Sequence, residues 1–284
     1  MGNKLRGAST EAAGDVAVLP SDLIEKERKR KRASKAFKAR VLAWTSVISG
    51  LIIWEIIGRY LVQNALFLAT PLQAAGSIVV LVKSGELAHH AWVSGQEFLI
   101  GFVTACITGV ILGLLIASFE RVANTLNPWV AGIYATPIIA ISPLFILWFG
   151  IGIWSKVAVV ISLVVFPVII NTEVGIRSTD RQLIEAVRSF GATPMQIFRK
   201  VSLPAATPFI LAGIRLGVGR GLIAGVVGEL FGSRAGLGFL IIQSAEVFDM
   251  PQLFAGIIVL ASTGILLTAA FRALEQYLVP WHYQ

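Results

Sequence analysis

The sequence has 284 residues, of which 56% are hydrophobic and only 14% are charged, with a formal net charge of +8. Soluble domains carry roughly 25% charged residues. This deficit, together with several long apolar runs, excludes a soluble globular protein and indicates an integral membrane protein. The single cysteine, Cys106, rules out an intrachain disulfide. The length suffices for about six membrane-spanning helices.

The N-terminal segment 1–40 is strongly basic, and the stretch 26–40 alone holds nine of the 24 lysines and arginines. We interpret 1–40 as a cytoplasmic tail, because cytoplasmic segments beside membrane spans are enriched in Lys and Arg. A specific contact with lipid or with a partner protein is the alternative, whereas the distribution does not favour nucleic acid. The first apolar run begins only at about Val41 and is too long for a secretory signal peptide.

The apolar runs predict an all-α integral membrane protein, because about 20 apolar residues form a helix that crosses a bilayer. The transmembrane domain is predicted over residues 41–284, with six spans at 41–62, 95–117, 128–150, 155–175, 206–231 and 252–274. A shorter apolar stretch follows Thr70, Pro71 and Gln73, which predict a capping box and a short helix at the membrane interface.

The positions of lysine and arginine predict the orientation of these spans. Residues 1–40 hold eleven basic residues and 176–205 hold five, whereas the opposite side has only Lys83, Lys156 and Arg234. Because basic residues concentrate in cytoplasmic loops, we predict that both termini and the loop 176–205 are cytoplasmic.

The loop 176–205 interrupts the apolar pattern and predicts two short helices. Capping boxes are expected at Thr179–Gln182 and at Thr193–Gln196. Gly191 is placed to end the first helix in the left-handed conformation, and Pro204 is expected to end the second.

Each of these short helices has one apolar side and needs a surface to cover it. The apolar positions are Leu183, Ile184, Val187 and Phe190 on the first helix and Ile197 and Val201 on the second. From the residues alone, the loop either packs on its own membrane domain or docks a soluble cytoplasmic protein.

The stretch "EAVRSFGATPMQIFRKVSLP", 185–204, resembles the EAA loop of permease subunits of ABC importers. The matching residues are Glu185, Ala186, Gly191, Val201, Leu203 and Pro204, and Val187 stands where alanine is usual. "SPLFILWFGIG" (142–152), "GIRLGVGRGLIAGVVGELFG" (213–232), "GLGFLI" (236–241) and "LVPWH" (278–282) are similar to the nitrate, sulfonate and taurine branch of that family.

This resemblance implies the six-helix type I importer permease fold with a cytoplasmic coupling helix. It implies that coupling to an ATPase involves Glu185, Ala186, Arg188, Gly191, Ala192, Leu203 and Pro204. The implied partners are a second copy of the chain, two ATPase subunits and an extracytoplasmic solute-binding protein, in the cell inner membrane. The chain lacks the sequence G-x-x-x-x-G-K-[ST], so ATP and Mg are expected in the ATPase subunit, and no enzyme activity or bound cofactor is expected in this chain.

The resemblance further implies import of a small anion such as a sulfonate, taurine or nitrate. A permease of the same fold for an uncharged or cationic solute is the first alternative. Two more distant alternatives are an ion-driven secondary transporter and a membrane scaffold without transport. Neither would co-purify with an ATPase.

Several residues inside the predicted spans are candidates for function. Glycines recur every four residues at Gly213, Gly217, Gly221 and Gly225, a row that permits close helix packing. Charged residues at membrane depth line water-filled paths or form pairs between helices, and the candidates are Arg215, Arg220 and Glu229. Pro137, Pro143 and Pro167 predict kinks. We predict no metal site, because His89 and His90 lack further ligands nearby in the sequence.

Overall fold

The computed structural model describes residues 21–62, 64 and 66–278, and its regular elements there are all helical. The chain divides between Ile57 and Gly58 into two compact units. The first unit contains helix α1, Ser21–Ile56, and the apolar stretch Phe37–Val62 is long enough to cross a membrane. Residues 21–40 of the predicted tail therefore begin this helix. Residues 1–20 of the tail, and "VPWH" of the C-terminal resemblance, lie outside the described residues.

A π-helical segment, Ile57–Val62, follows α1. The helices of the second unit are α2 Pro71–Ser84, α3 Glu86–Ser118, α4 Glu120–Ala135, α5 Ile138–Phe149, α6 Ile153–Arg177, α7 Arg181–Ser189, α8 Pro194–Ile197, α9 Leu203–Leu230, α10 Leu237–Glu246 and α11 Met250–Leu278. A second π-helical segment, Phe198–Ser202, joins α8 to α9, so that Pro194–Leu230 forms one run of 37 residues.

The predicted third span, 128–150, corresponds to two helices rather than to one. Helices α4 and α5 are bent by 99° relative to each other. The bend falls at Thr136 and Pro137, and Thr136 has the extended backbone (ψ 136°) that a residue before proline prefers. Counted with this bent pair as one span, the described chain has up to six helical spans.

Helices α3, α6 and α9 form the core of the second unit. Val159, Val160, Val164 and Val168 of α6 are buried between Ala105 of α3 and Ala224 of α9. The close approach of α3 to α6 depends on glycines at 101, 109 and 113. A Cβ atom at these three positions would lie 2.6–2.8 Å from side-chain atoms of α6, closer than packed atoms can approach. This row of glycines was not among the predicted packing positions.

Three of the four predicted packing glycines of α9 lie at close helix contacts. A Cβ at Gly213 would lie 2.8 Å from Asn171 Cβ, and one at Gly217 would lie 2.9 Å from Val164. A Cβ at Gly221 would lie 2.9 Å from the Phe98 ring. Gly225 differs, because no heavy atom that a Cβ would meet lies within 4 Å among the described residues.

Helix α2 packs on α10 and α11 through a small apolar cluster of Leu81, Leu240 and Ala255. The predicted capping box at its start is confirmed: the Thr70 hydroxyl accepts a hydrogen bond from Gln73 N, and Thr70 N donates to Gln73 Oε1 at 2.9 Å. Local hydrogen bonds at its N-terminus and packing on α10 and α11 thus both hold α2.

Candidate functional site

The loop 176–205, called the two-helix segment from here on, begins differently from the sequence prediction. The predicted capping box at Thr179 is wrong. Asp180 caps α7 instead, because its carboxylate accepts a hydrogen bond from Gln182 N at 2.8 Å. The Thr179 hydroxyl donates to the carbonyl of Ile176 at 2.9 Å, so it satisfies the end of α6 rather than the start of α7.

The turn between the two short helices follows the prediction. Gly191 has φ +81°, the left-handed conformation that costs other residues about 1–2 kcal/mol. The capping box of Thr193 and Gln196 is present. The expectation that Pro204 ends the second helix is wrong. The helical run continues through it. Pro204 lies in the first turn of α9, where proline is tolerated, directly after the π-helical segment that ends with the hydrogen bond from Leu203 N to Phe198 O.

The two-helix segment leaves much of its apolar side uncovered within the described chain. Phe190 is 90% exposed, Met195 is 64% exposed and Leu183 is 49% exposed. Ile197 of α8, in contrast, is buried. The other predicted coupling residues are exposed or half-buried, namely Glu185, Ala186, Arg188, Ala192, Leu203 and Pro204. The segment therefore presents apolar and charged side chains together, as a protein-docking surface does.

Glu229, a predicted pathway residue, is only 1% exposed and holds the start of α10 against the end of α9. Its carboxylate accepts hydrogen bonds from Ser94 Oγ at 2.5 Å, Gly238 N at 2.6 Å and Phe239 N at 3.3 Å. These two amides belong to the first turn of α10, where intrahelical partners are missing. Gly236 must be glycine here, because a Cβ would overlap the Glu229 carboxylate.

Two further buried ionisable residues lie beside Glu229, and neither was among the predicted site residues. Glu97 of α3 is 3% exposed and lies next to Glu229 and Lys156. Lys156 is 2% exposed and donates to the carbonyl of Gly232 at 2.6 Å, just beyond the end of α9. Three ionisable groups are thus gathered where α3, α6 and α9 meet, and the attraction between Lys156 and the two carboxyl groups offsets part of the cost of burying the Lys156 charge.

This cluster was only partly visible in the sequence. Glu97 and Lys156 fall within two residues of the predicted span ends at 95 and 155, where a charge is unremarkable. The available signal was Glu97, an acidic residue just inside the predicted span 95–117, because a charge inside a span indicates a functional or paired residue. The spatial pairing with Glu229 depends on contacts between residues more than 70 positions apart, and spacing along the chain does not reveal such contacts.

The two arginines of α9 have different surroundings. Arg215 Nη1 lies 3.0 Å from Glu275 Oε2, and this ion pair joins α9 to α11. Arg220 is exposed, donates to the Tyr134 hydroxyl at 2.8 Å and lies 5.1 Å from the centre of the Tyr134 ring. A cavity of about 200 Å³ lies beside Arg220 at the bend between α4 and α5. Arg220 is therefore the predicted pathway residue with an accessible positive charge.

Metal binding has no candidate in the part of the chain that the structure describes, where no group of three or more His, Cys, Asp or Glu residues could hold an ion. His90 instead accepts a hydrogen bond from Gly236 N at 3.0 Å. Its role in the described structure is to hold the loop between α9 and α10.

Comparisons with known proteins agree with this architecture. Residues 109–281 match the family model described as binding-protein-dependent transport system inner membrane component. The permease ThiX of Halalkalibacterium halodurans, named for formylaminopyrimidine transport, is 37% identical over 81% of this chain and 92% of its own length. SsuC of Bacillus subtilis, named as a permease for aliphatic sulfonates, is 36% identical over 95% of this chain and 96% of its own. The taurine transport permease TauC of Escherichia coli is 30% identical over 82% of this chain and 86% of its own length.

Solved structures share the fold. The MetNI methionine ABC transporter gives a TM-score of 0.58 at 20% identity, over 66% of this chain and 93% of that chain. An amino acid ABC transporter gives a TM-score of 0.56 at 18% identity, over 70% of this chain and 95% of that chain. At such identities the likeness concerns the fold alone. With the family match and the close relatives, however, the assignment is clear: the chain belongs to the binding-protein-dependent transport system inner membrane components, the multi-pass permease subunits of ABC importers.

Proposed function

We propose that this permease forms the path for a small anion, of the sulfonate, taurine or nitrate type, and works as a homodimer. In this proposal, two cytoplasmic ATPase subunits dock on the two-helix segments, and an extracytoplasmic binding protein delivers the solute. The observation that carries the proposal is the exposed surface of α7 and α8, where Phe190, Met195 and Leu183 lie beside Glu185 and Arg188.

An ATPase is a suitable occupant of this surface for physical reasons. A helix of nine residues, such as α7, gains little stability by itself, so its exposed apolar side needs a partner. Glu185 and Arg188 lie one turn apart on α7, where each can form charge-assisted hydrogen bonds at the edge of a contact. The basic residues of the segment and of the N-terminal helix support its cytoplasmic location, with both termini on the same side.

The homodimer is supported by the exposed face of α9. Leu216, Arg220 and Ile223 are exposed on this helix, which crosses the membrane. An arginine at membrane depth normally faces a protein neighbour or water rather than lipid. A second copy packed near this face would enclose a water-filled path lined by Arg220.

The anionic substrate is supported by the charges that remain accessible. Arg215 is paired with Glu275, and Glu229 is buried, so neither offers a free charge to a passing solute. Arg220 keeps an exposed guanidinium beside a cavity, and guanidinium binds oxyanions through two parallel hydrogen bonds. Two relatives are named for sulfonates and taurine, whereas ThiX is named for a pyrimidine. An uncharged solute is therefore the second candidate.

The coupling proposal is tested with the double variant Glu185→Lys, Gly191→Val. Valine resists the left-handed backbone by about 1–2 kcal/mol, and losing one partner of a desolvated pair costs about 2–5 kcal/mol. We expect the variant to lose its co-purifying ATPase and ATP-dependent uptake in proteoliposomes. The matched control is Glu246→Lys, Gly85→Val, because Glu246 is exposed and Gly85 also has φ +81° with open space around it. Normal ATPase retention by the first variant would overturn the proposal.

The substrate proposal is tested by uptake of taurine, ethanesulfonate and nitrate beside uncharged riboflavin, with the binding protein supplied. We expect uptake of nitrate or of at least one of the two sulfonates, counting zwitterionic taurine by its sulfonate group. This uptake should fall about tenfold or more in Arg220→Gln, because removing one side of a charged hydrogen bond costs about 1.5–3 kcal/mol. The control Tyr134→Phe keeps the ring beside Arg220 and should retain most of the uptake. Uptake of riboflavin alone would identify an uncharged substrate.

A further inference from the structure

An open apolar cavity of about 830 Å³ lies between the end of α3 and the two-helix segment. We call it the α3–α8 groove. Its lining includes Ile111 and Leu115 of α3, Ile176 of α6, Ile184 of α7, and Met195 and Ile197 of α8. Among the described residues that line it, Arg188 is the one that carries a charge. The groove is thus an apolar surface with a single cation.

The depth of the groove places it at the boundary between the hydrocarbon and the headgroups of the bilayer. Ser118 ends α3, and Leu115 and Ile111 lie about 4.5 Å and 10 Å before that end. Both belong to the predicted span 95–117, and they are 40% and 52% exposed. In a bilayer, an exposed apolar surface at this depth is covered by acyl chains unless another protein covers it.

The charge at the groove indicates the kind of lipid. Arg188 lies in the last turn of α7 and is exposed. Glu185 lies one turn earlier on the same helix and is exposed, but it does not line the groove. A planar guanidinium binds a phosphate group through two parallel hydrogen bonds. A cation beside an apolar surface at headgroup level therefore complements an anionic lipid.

We propose that the α3–α8 groove binds an anionic phospholipid. One acyl chain lies along Ile111 and Leu115, and the headgroup phosphate binds Arg188. The lipid joins the end of a membrane-spanning helix to the two-helix segment. This site goes beyond the proposed function, because its lining on α3 and α6 lies outside the surface proposed for the ATPase; Arg188 and Met195 belong to the border of both.

The first experiment compares lipids with identical acyl chains. The purified full-length permease is delipidated, incubated with dioleoyl phosphatidylglycerol or dioleoyl phosphatidylcholine, and examined by native mass spectrometry. We expect retention of phosphatidylglycerol to exceed that of phosphatidylcholine about fivefold, the effect of one basic residue near an anionic surface. Arg188→Gln should bring this ratio close to one. Arg181→Gln is the matched control, since Arg181 begins α7 and does not line the groove. An unchanged ratio in Arg188→Gln overturns the proposal.

The second experiment tests the acyl site independently of charge. Leu115→Trp fills the groove and should reduce retention of both lipids, whereas Leu99→Trp, at an exposed position of α3 outside the groove, should not. In a Cys106→Ala background, Leu115→Cys should react with a membrane-soluble maleimide in lipid-free protein, and phosphatidylglycerol should slow the reaction. A cysteine at 115 that reacts far more slowly than one at the exposed position 99 in the same lipid-free protein would show that protein covers the groove. A rate that lipid leaves unchanged would show that no lipid occupies it. Either result overturns the proposal.

Discussion

Replacing Glu229 with alanine is expected to release the start of α10 from the end of α9. The side chain accepts hydrogen bonds from Ser94 Oγ, Gly238 N and Phe239 N. A buried donor that loses its acceptor costs about 1–3 kcal/mol. The contact to Phe239 N is long at 3.3 Å and contributes least. The two short contacts together contribute about 2–6 kcal/mol. The usual cost of removing one member of a buried charged network, about 3–5 kcal/mol, lies within this range.

This loss is measurable as thermal stability of the purified permease in detergent. For a protein of this size, each kcal/mol lowers the melting temperature by about 2–4 °C, so Glu229→Ala should lower it by roughly 10 °C. Ser94→Ala removes a single side chain from the network and should cost about 1–3 kcal/mol. Glu246→Ala, at an exposed position of α10, is the control. If Glu229→Ala has the same melting temperature as Glu246→Ala, the network does not hold α10 and the reasoning is refuted.

Two other predictions concern packing and topology. Gly213→Ala should destabilise the protein by about 1–3 kcal/mol, because its methyl group would lie 2.8 Å from Asn171 Cβ. Gly225→Ala has open space around the new methyl group and should leave thermal stability unchanged or raise it. Equal effects of the two variants in thermal unfolding would contradict the described packing of α9. Cysteines introduced at Ser84 and Ser189 in a background without the native cysteine should label from opposite sides of the membrane, as the distribution of basic residues predicts; same-side labelling would reject the six-span topology.

Local features of the fold were predictable because they depend on neighbouring residues. The capping boxes at Thr70 and Thr193 and the left-handed Gly191 follow from side chains within a few positions of each other. The predicted start of α7 is one residue too early, because Thr179 and Asp180 both suit an N-cap. The hydroxyl of Thr179 is used at the end of α6, which leaves Asp180 to cap α7.

Features that depend on distant residues were predictable only in part. The α3 glycines, with Ala105 between them, recur at the four-residue interval that indicates close packing, but the interval does not identify α6 as the partner. The partners of Glu229 come from α3 and from α10, and no local pattern indicates them. Pro137 was expected to kink a span, but a proline does not indicate whether the bend is small or reaches 99°. The candidate coupling residues were found by resemblance to a family, since their physical pattern alone left packing on the membrane domain open.

The unbroken helical run Pro194–Leu230 has a mechanical consequence. Its 37 residues span about 55 Å, because an α-helix rises 1.5 Å per residue. Met195 of the two-helix segment lies at one end. Glu229 lies at the other end, where its carboxylate accepts a hydrogen bond from Gly238 N at the start of α10. A rotation of about 10° around the middle of such a rod moves both ends by about 5 Å in opposite directions. A tilt of this helix would therefore displace the surface at Met195 and the loop at Gly236 together, in opposite directions.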